Sequence, residues 1–171
     1  MEYQKEIKNK FNRNVRALTL KPNLGLGKKI STTRITNGLT CEITEGDWII
    51  KTDMPTTMGG SETAPTPGAF GRAALGGCLA TGYMIWAAHL DIQIDHLEVR
   101  IEADYEDGAF FGITDAPAGY MEVRYYVKIE SPHSRKEIED FLNIADKHSP
   151  YLDVFSRAQS CFRELELIND K

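Results

Sequence analysis

The pattern of apolar and polar positions changes character once along the chain. From Ala73 to Ala88 there is no charged residue and no alternation. A helix apolar on every side is buried on every side. Thr66 before this run suits an N-cap, and Pro67 suits the first helical position. The pattern predicts a helix over Thr66 to Leu90. A bilayer span needs ~20 apolar residues. This run has sixteen, four of them Gly or Thr, so it reads as a core helix. Gly71, Gly76, Gly77 and Gly82 each cost about 1 kcal/mol against Ala. Close approach of another backbone is the expected compensation.

Elsewhere the period is two. Asn14 to Lys21 alternates and predicts a first strand, behind a charged and frayed Met1 to Lys10. Ile30 to Ile35 reads as a weak strand. Asn37-Gly38 is a hairpin signal leading into Leu39 to Thr44, and Glu45-Gly46-Asp47 turns the chain into Trp48 to Thr52. Asp53 to Pro67 is a long Gly/Pro/Thr loop of the kind that is functional or disordered. After the apolar helix, Ile94 to Tyr105 and Tyr120 to Glu130 alternate as antiparallel neighbours with one wet face. Ser134 with Glu137 forms a capping-box pattern, and Ile138, Phe141, Leu142 and Ala145 give the second helix its stripe. That helix ends near Lys147-His148, stopped by Ser149-Pro150. Ser160 to Ile168 predicts a last strand. Strands run in groups, so the fold class is α+β with antiparallel sheet, as a single domain over residues 1–171.

Charge and cysteine usage narrow the function. The net charge is −5, which argues against a nucleic-acid backbone as partner. The N-terminus has no apolar h-region, so no signal peptide is expected, and no membrane partner. Cys41, Cys78 and Cys161 are an odd number without paired spacing, which suits a reducing cytoplasm. No CxxC or HExxH is present, and neither a metal nor another cofactor is expected.

Cys78 is the sharpest candidate for chemistry. From position alone it reads first as a small core hydrophobe. It lies about three turns into the helix, past the reach of the N-terminal dipole, so activation needs a cation from elsewhere. Arg72 leaves a different face. His148, Arg34, Arg157 and a second subunit remain as sources. His148-Ser149 has no acid placed to make a triad. Met58-Gly59-Gly60 resembles a phosphate nest without the lysine of a P-loop. Trp48, Trp86, Cys41 and Cys161 read as core. Phe110-Phe111-Gly112 either packs back on the sheet or marks a partner surface.

Met58-Gly59-Gly60, then Pro65-Thr66-Pro67, then Ala73-Ala74-Leu75-Gly76-Gly77-Cys78 resembles the OsmC/Ohr family, the osmotically inducible and organic hydroperoxide resistance proteins. The resemblance runs from about Leu39 to Leu167. It implies an intertwined homodimer with a buried central helix and sites at the subunit interface. It also implies reduction of organic hydroperoxides by two cysteines. The first matches Cys78; at the place of the second stands Ser149, before Pro150. Gly68 stands where the family has a glutamate. The family's arginine falls near Asn37, with Arg34 three residues away.

Three functions follow as expectations. One is a one-cysteine peroxidase that uses Cys78 and an external thiol reductant on a hydroperoxide. The second is a non-enzymatic dimer binding a small apolar ligand at the interface. The third is a structural or interaction protein.

Overall fold

The computed structural model describes residues 2–168. The element order is α1 (Glu2–Leu20), β1 (Ser31–Asn37), β2 (Thr40–Glu45), β3 (Trp48–Thr52), α2 (Pro67–His89), β4 (His96–Asp104), α3 (Asp107–Phe110), β5 (Glu122–Glu130), α4 (Arg135–Lys147) and α5 (Pro150–Ser156). This is the expected α+β arrangement, with two antiparallel sheets. β1, β2 and β3 form one, turned at Gly38 and Gly46, both at positive φ as a tight hairpin demands. β4 and β5 form the other, paired without interruption from His96 opposite Glu130 to Asp104 opposite Glu122.

α2 is the central helix. Thr66 caps it, its hydroxyl accepting from Ala69 N, with Pro67 at the first turn. Leu75, Leu79, Tyr83 and Ala87 lie within one stripe and are buried, with Phe141 and Ala145 of α4 over them and Val99, Ile101, Val123 and Val127 of the β4–β5 sheet beneath. Gly76 explains itself here: a Cβ would sit 3.2 Å from Ile101 Cγ1, so glycine lets sheet and helix close up. Gly77 and Gly82 face open space. The opposite face of α2 stays bare, with Ala73, Gly77 and Thr81 exposed at four-residue steps. The all-round apolar character is thus half satisfied within one chain.

Two predicted strands are absent. Asn14 to Leu20 belongs to α1, with Lys21 just past its end, and Glu2 to Lys10, read as a frayed end, forms the earlier turns of that helix; Met1 lies outside the described residues. The alternation of NVRALTLK hid the longer spacing Ile7, Phe11, Val15, Leu18, which is helical. Phe11 is the anchor, its ring 5.2 Å from Trp86 and 4.2 Å from His89 by centroids. Gln4 Nε2 donates to Ile92 O at 2.7 Å, and Lys8 pairs with Asp91. Ser160 to Ile168 lies in no sheet, with Phe162 92% and Leu165 83% exposed. A strand exists only by its ladder, and no edge within this chain receives the segment. Cys161 is therefore exposed rather than core, and Trp48, 75% exposed, also departs from the core reading. Phe110 and Phe111 stand exposed on the β4–β5 connection.

The long loop before α2 is ordered by one carboxylate. Asp53 is 1% exposed and accepts from Thr63 Oγ1 at 2.7 Å, Met54 N at 2.8 Å, Thr63 N at 3.1 Å, Thr40 Oγ1 at 3.2 Å and Ser61 N at 3.4 Å. The glycines of Met58-Gly59-Gly60 spend their N–H groups on Thr56 O and Pro55 O, so the segment is a closed turn and not a phosphate nest.

Phe141→Ala should lower stability by about 3–5 kcal/mol, read from denaturant unfolding, because α2 cannot collapse into the space left. The donors from Thr63 hold the Asp53 carboxyl well below the usual carboxylate range. Its stabilisation is present above the unfolded-state value of about 4 and falls away as pH drops below it. Unfolding of Asp53→Asn should accordingly depend less on pH below about 4 than that of wild type.

Candidate functional site

The site is built where α2 meets the corner between α4 and α5. Cys78 sits in the middle of α2, half-buried, and Ser149 is buried against it, Sγ to Oγ 3.8 Å. Ser149 and Pro150 do more than stop α4. Ser149 is the N-cap of α5, its hydroxyl accepting from Leu152 N at 3.3 Å, while its own N–H reaches Asp146 O at 3.1 Å. A hydroxyl has one proton and two lone pairs. With one lone pair engaged by Leu152, the proton and a second lone pair remain, so Ser149 can accept from a Cys78 thiol or donate to a thiolate.

The corner is held in place by Asp146. Its carboxylate accepts from Tyr83 Oη of α2 at 2.6 Å and from Tyr125 Oη of β5 at 2.9 Å. Burial, reinforced by the carboxylate, pushes the Tyr125 phenol up to about 12 and Tyr83 further still. Both remain donors across the physiological range. Sequence reasoning missed this cluster. Its signal was available: an acid in the last turn of a helix opposes the helix dipole and asks for a tertiary partner.

Beyond the pair, Trp86 stacks on the exposed His148 ring at 4.8 Å, with Phe11 edge-on behind it. Gly82, one turn on from Cys78, leaves the surface open between Cys78 and Trp86. On the neighbouring side of α2 a groove of about 870 Å³ runs between α1, α2 and the start of β4, floored by Ala80, Met84, Ile85 and Leu97.

Of the candidate cations His148 alone stands at this corner, stacked on Trp86, and the arginines do not gather here. Arg34 is exposed on β1, opposite Glu42 in register. Arg157 pairs with Asp153 at 2.7 Å. Arg72 turns toward the N-terminal end of α2, its Nη1 donating to Tyr120 Oη at 3.3 Å, and Tyr120 donates to Gly68 O at 2.8 Å. A Cβ at Gly68 or Gly71 would lie 3.6 or 3.5 Å from that hydroxyl, ordinary van der Waals contact. Among the described residues no arginine, lysine or histidine hydrogen-bonds to Cys78 or Ser149. The sequence-predicted residues thus come together as one pair, Cys78 with Ser149, and Arg34 stands apart.

Comparison with known proteins agrees with this architecture. A family model described as OsmC-like protein matches residues 59–161. The chain belongs to the OsmC-like family, which relates it to the organic hydroperoxide resistance proteins. No curated protein matches it in sequence. Among solved structures it is similar to an OsmC-like protein from Mycoplasma pneumoniae, at 20% identity and a TM-score of 0.66, covering 75% of this chain and 87% of that one. An organic hydroperoxide resistance protein OsmC from Legionella pneumophila is 19% identical, with a TM-score of 0.59 and coverage of 77% and 91%. OhrB of Bacillus subtilis is 18% identical, with a TM-score of 0.51 and coverage of 77% and 93%. At such identities these likenesses establish the fold. α1 precedes the residues matched to the family. No described helix is long and apolar enough to cross a membrane.

Ser149→Ala should have two separable effects. Loss of the α5 cap should cost about 1 kcal/mol in denaturant unfolding. Loss of the donor should slow alkylation of Cys78 by iodoacetamide at neutral pH, followed by peptide mapping. Ser149→Thr, which keeps the hydroxyl, should recover most of both.

Proposed function

We propose that the protein is a thiol-dependent hydroperoxide reductase working through Cys78 alone, in a reducing cytoplasm and as a homodimer. The observation that carries this reading is the contact between Cys78 Sγ and Ser149 Oγ at 3.8 Å, on the helix and at the corner that the family fold provides. The Cys78 thiolate attacks the terminal oxygen of R–O–O–H. The O–O bond breaks, the sulfur keeps one oxygen as sulfenic acid, and the alkoxide takes a proton and leaves as R–OH. Ser149 can steady the sulfenic acid by a hydrogen bond but cannot resolve it. An external thiol R′SH condenses with it, releasing water and leaving a mixed disulfide. A second R′SH returns Cys78 to the thiol and departs as R′S–SR′. Cys161 lies in an exposed tail and Cys41 sits on β2 with its Sγ near Leu39 O, and among the described residues neither hydrogen-bonds to Cys78.

The homodimer reading is supported by surface that one chain leaves uncovered. The bare face of α2, the exposed Ile35, Trp48 and Ile49 of the first sheet, and Phe162, Leu165, Leu167 and Ile168 of the tail have no cover within the chain. Besides His148, a second copy is the remaining source of a cation for Cys78. A second functional reading draws on that missing cation and on the groove beside α2: a non-enzymatic dimer that holds a small apolar ligand, with Cys78 inert.

The test is stopped-flow oxidation by tert-butyl hydroperoxide with intact-mass detection, in wild type and in Cys161→Ser. The expected result is one oxygen retained on Cys78, no turnover without added thiol, and turnover with it. In Ser149→Cys, stoichiometric hydroperoxide should instead link positions 78 and 149 as a disulfide, whose Cβ atoms must lie about 3.5–4.5 Å apart. A Cys78 that stays reduced while Cys41 or Cys161 oxidises would overturn the enzymatic reading. Saturable displacement of an apolar fluorophore by fatty acids would then favour ligand binding.

A further inference from the structure

One residue at the corner beside Ser149 has no task in the reaction above. His148 is the C-cap of α4, immediately before Ser149, and it is exposed to water. Its ring is nonetheless held. It stacks on Trp86 with centroids 4.8 Å apart and planes 19° from parallel. Trp86 is backed in turn by Phe11 of α1 at 5.2 Å and by His89 at 5.6 Å. Gln4 on Ile92 O and Lys8 on Asp91 fasten α1 in that position. Among the described residues neither ring nitrogen of His148 hydrogen-bonds to a protein group. An imidazole held by its face, with its nitrogens open to water, is placed to give up a proton and to recover it.

Two anchors relate this ring to the sulfur. Along the backbone His148 adjoins Ser149, whose Oγ lies 3.8 Å from Cys78 Sγ. On its face it rests on Trp86, eight residues along α2 from Cys78, about 12 Å of helical rise. Long side chains on a helix lean back over the preceding turn, so the Trp86 ring reaches toward Gly82 and Cys78 rather than away from them. A Cβ at Gly82 would meet nothing within 4 Å. The gap over Gly82 thus has Cys78 at one end and the Trp86–His148 stack at the other.

The geometry of attack uses that gap. Leu75 and Leu79, which flank Cys78 along α2, are 0% and 1% exposed, and Ser149 is buried against the sulfur. Gly77 and Thr81 belong to the bare face that the homodimer reading covers. A hydroperoxide is left with the approach over Gly82. A sulfur about 3–3.5 Å from the terminal oxygen has the second oxygen one bond further along the same line. That second oxygen leaves with the electron pair of the O–O bond, and it lies over the gap, toward His148. An alkoxide leaves poorly unless a proton meets it. Arg72 and Arg157 are engaged elsewhere, on Tyr120 and Asp153.

We propose that His148 is a further catalytic residue, the proton donor to the departing oxygen. This rests on the hydroperoxide reductase reading above and names its acid. As the S–O bond forms and the O–O bond breaks, the sulfur keeps the terminal oxygen with its hydrogen as sulfenic acid. The imidazolium of His148 passes its proton to the R–O oxygen, R–OH leaves, and the neutral ring takes a proton back from water. His148 makes no hydrogen bond to Cys78, so its task falls at the far oxygen and not at the thiol.

The test follows Cys78 in the full chain by stopped flow and peptide mapping, in wild type, His148→Phe and His148→Gln. Phenylalanine keeps a ring on Trp86, and glutamine controls for its bulk. Three reagents separate the steps. tert-Butyl hydroperoxide expels an alkoxide that needs a proton, peracetic acid expels a stable acetate, and iodoacetamide expels iodide. In both variants oxidation by tert-butyl hydroperoxide should slow by about a hundredfold, while the peracetic acid and iodoacetamide rates change by less than about twofold. Equal slowing with all three reagents, or hydroperoxide rates that ignore both substitutions, overturns the assignment of His148 and leaves the reductase reading standing. A wild-type Cys78 that alkylates but takes no oxygen from either peroxide overturns both.

Discussion

The hydrogen bonds from Tyr83 and Tyr125 to Asp146 fix the relation among three elements at once. One phenol comes from the central helix, the other from the sheet, and the carboxylate from the last turn of α4. Bonds to an ionised acceptor contribute about 1.5–3 kcal/mol each, more than most side-chain contacts. Three residues on from Asp146, the chain delivers Ser149 to Cys78. Without this clamp the corner between α4 and α5 would be set by apolar contacts alone, which tolerate sliding. The site therefore borrows its geometry from a buried polar cluster that touches neither sulfur nor hydroxyl.

Chemically, the corner offers a donor and withholds a second thiol. A cysteine at position 149 would give up the cap on α5 in exchange for a bridge. Serine keeps the cap and supplies no sulfur. The residue type at this one position thus chooses between an ordered start to α5 and a second thiol beside Cys78.

Much of this was legible in the sequence, and the misses have physical causes. The central helix, its Thr66 cap, the capping box at Ser134 and both hairpins of the first sheet follow from local signals. The proximity of Cys78 and Ser149 followed from family resemblance, not from any local rule. The alternation over Asn14 to Lys21, eight residues, satisfied a strand template while the helical spacing of α1 ran through a longer window. The tail from Ser160 to Ile168 has a strand's pattern, and pattern alone cannot supply the neighbouring strand. Trp48 reads as core by type and Cys161 by its place in an alternating strand pattern, but burial depends on what a single chain has available to cover them. Asp53 and Asp146 were invisible because their partners are distant in sequence or belong to the backbone.

The placement of the two tryptophans has a spectroscopic consequence. Trp48 stands in water on the first sheet, while Trp86 lies face to face with an imidazole at the corner next to Ser149. Their emissions differ in environment, one solvated and red, the other shielded by Phe11 and open to quenching by His148. The molecule carries an optical label at the entrance to its thiol, put there by the same ring stack that walls the surface beside Gly82.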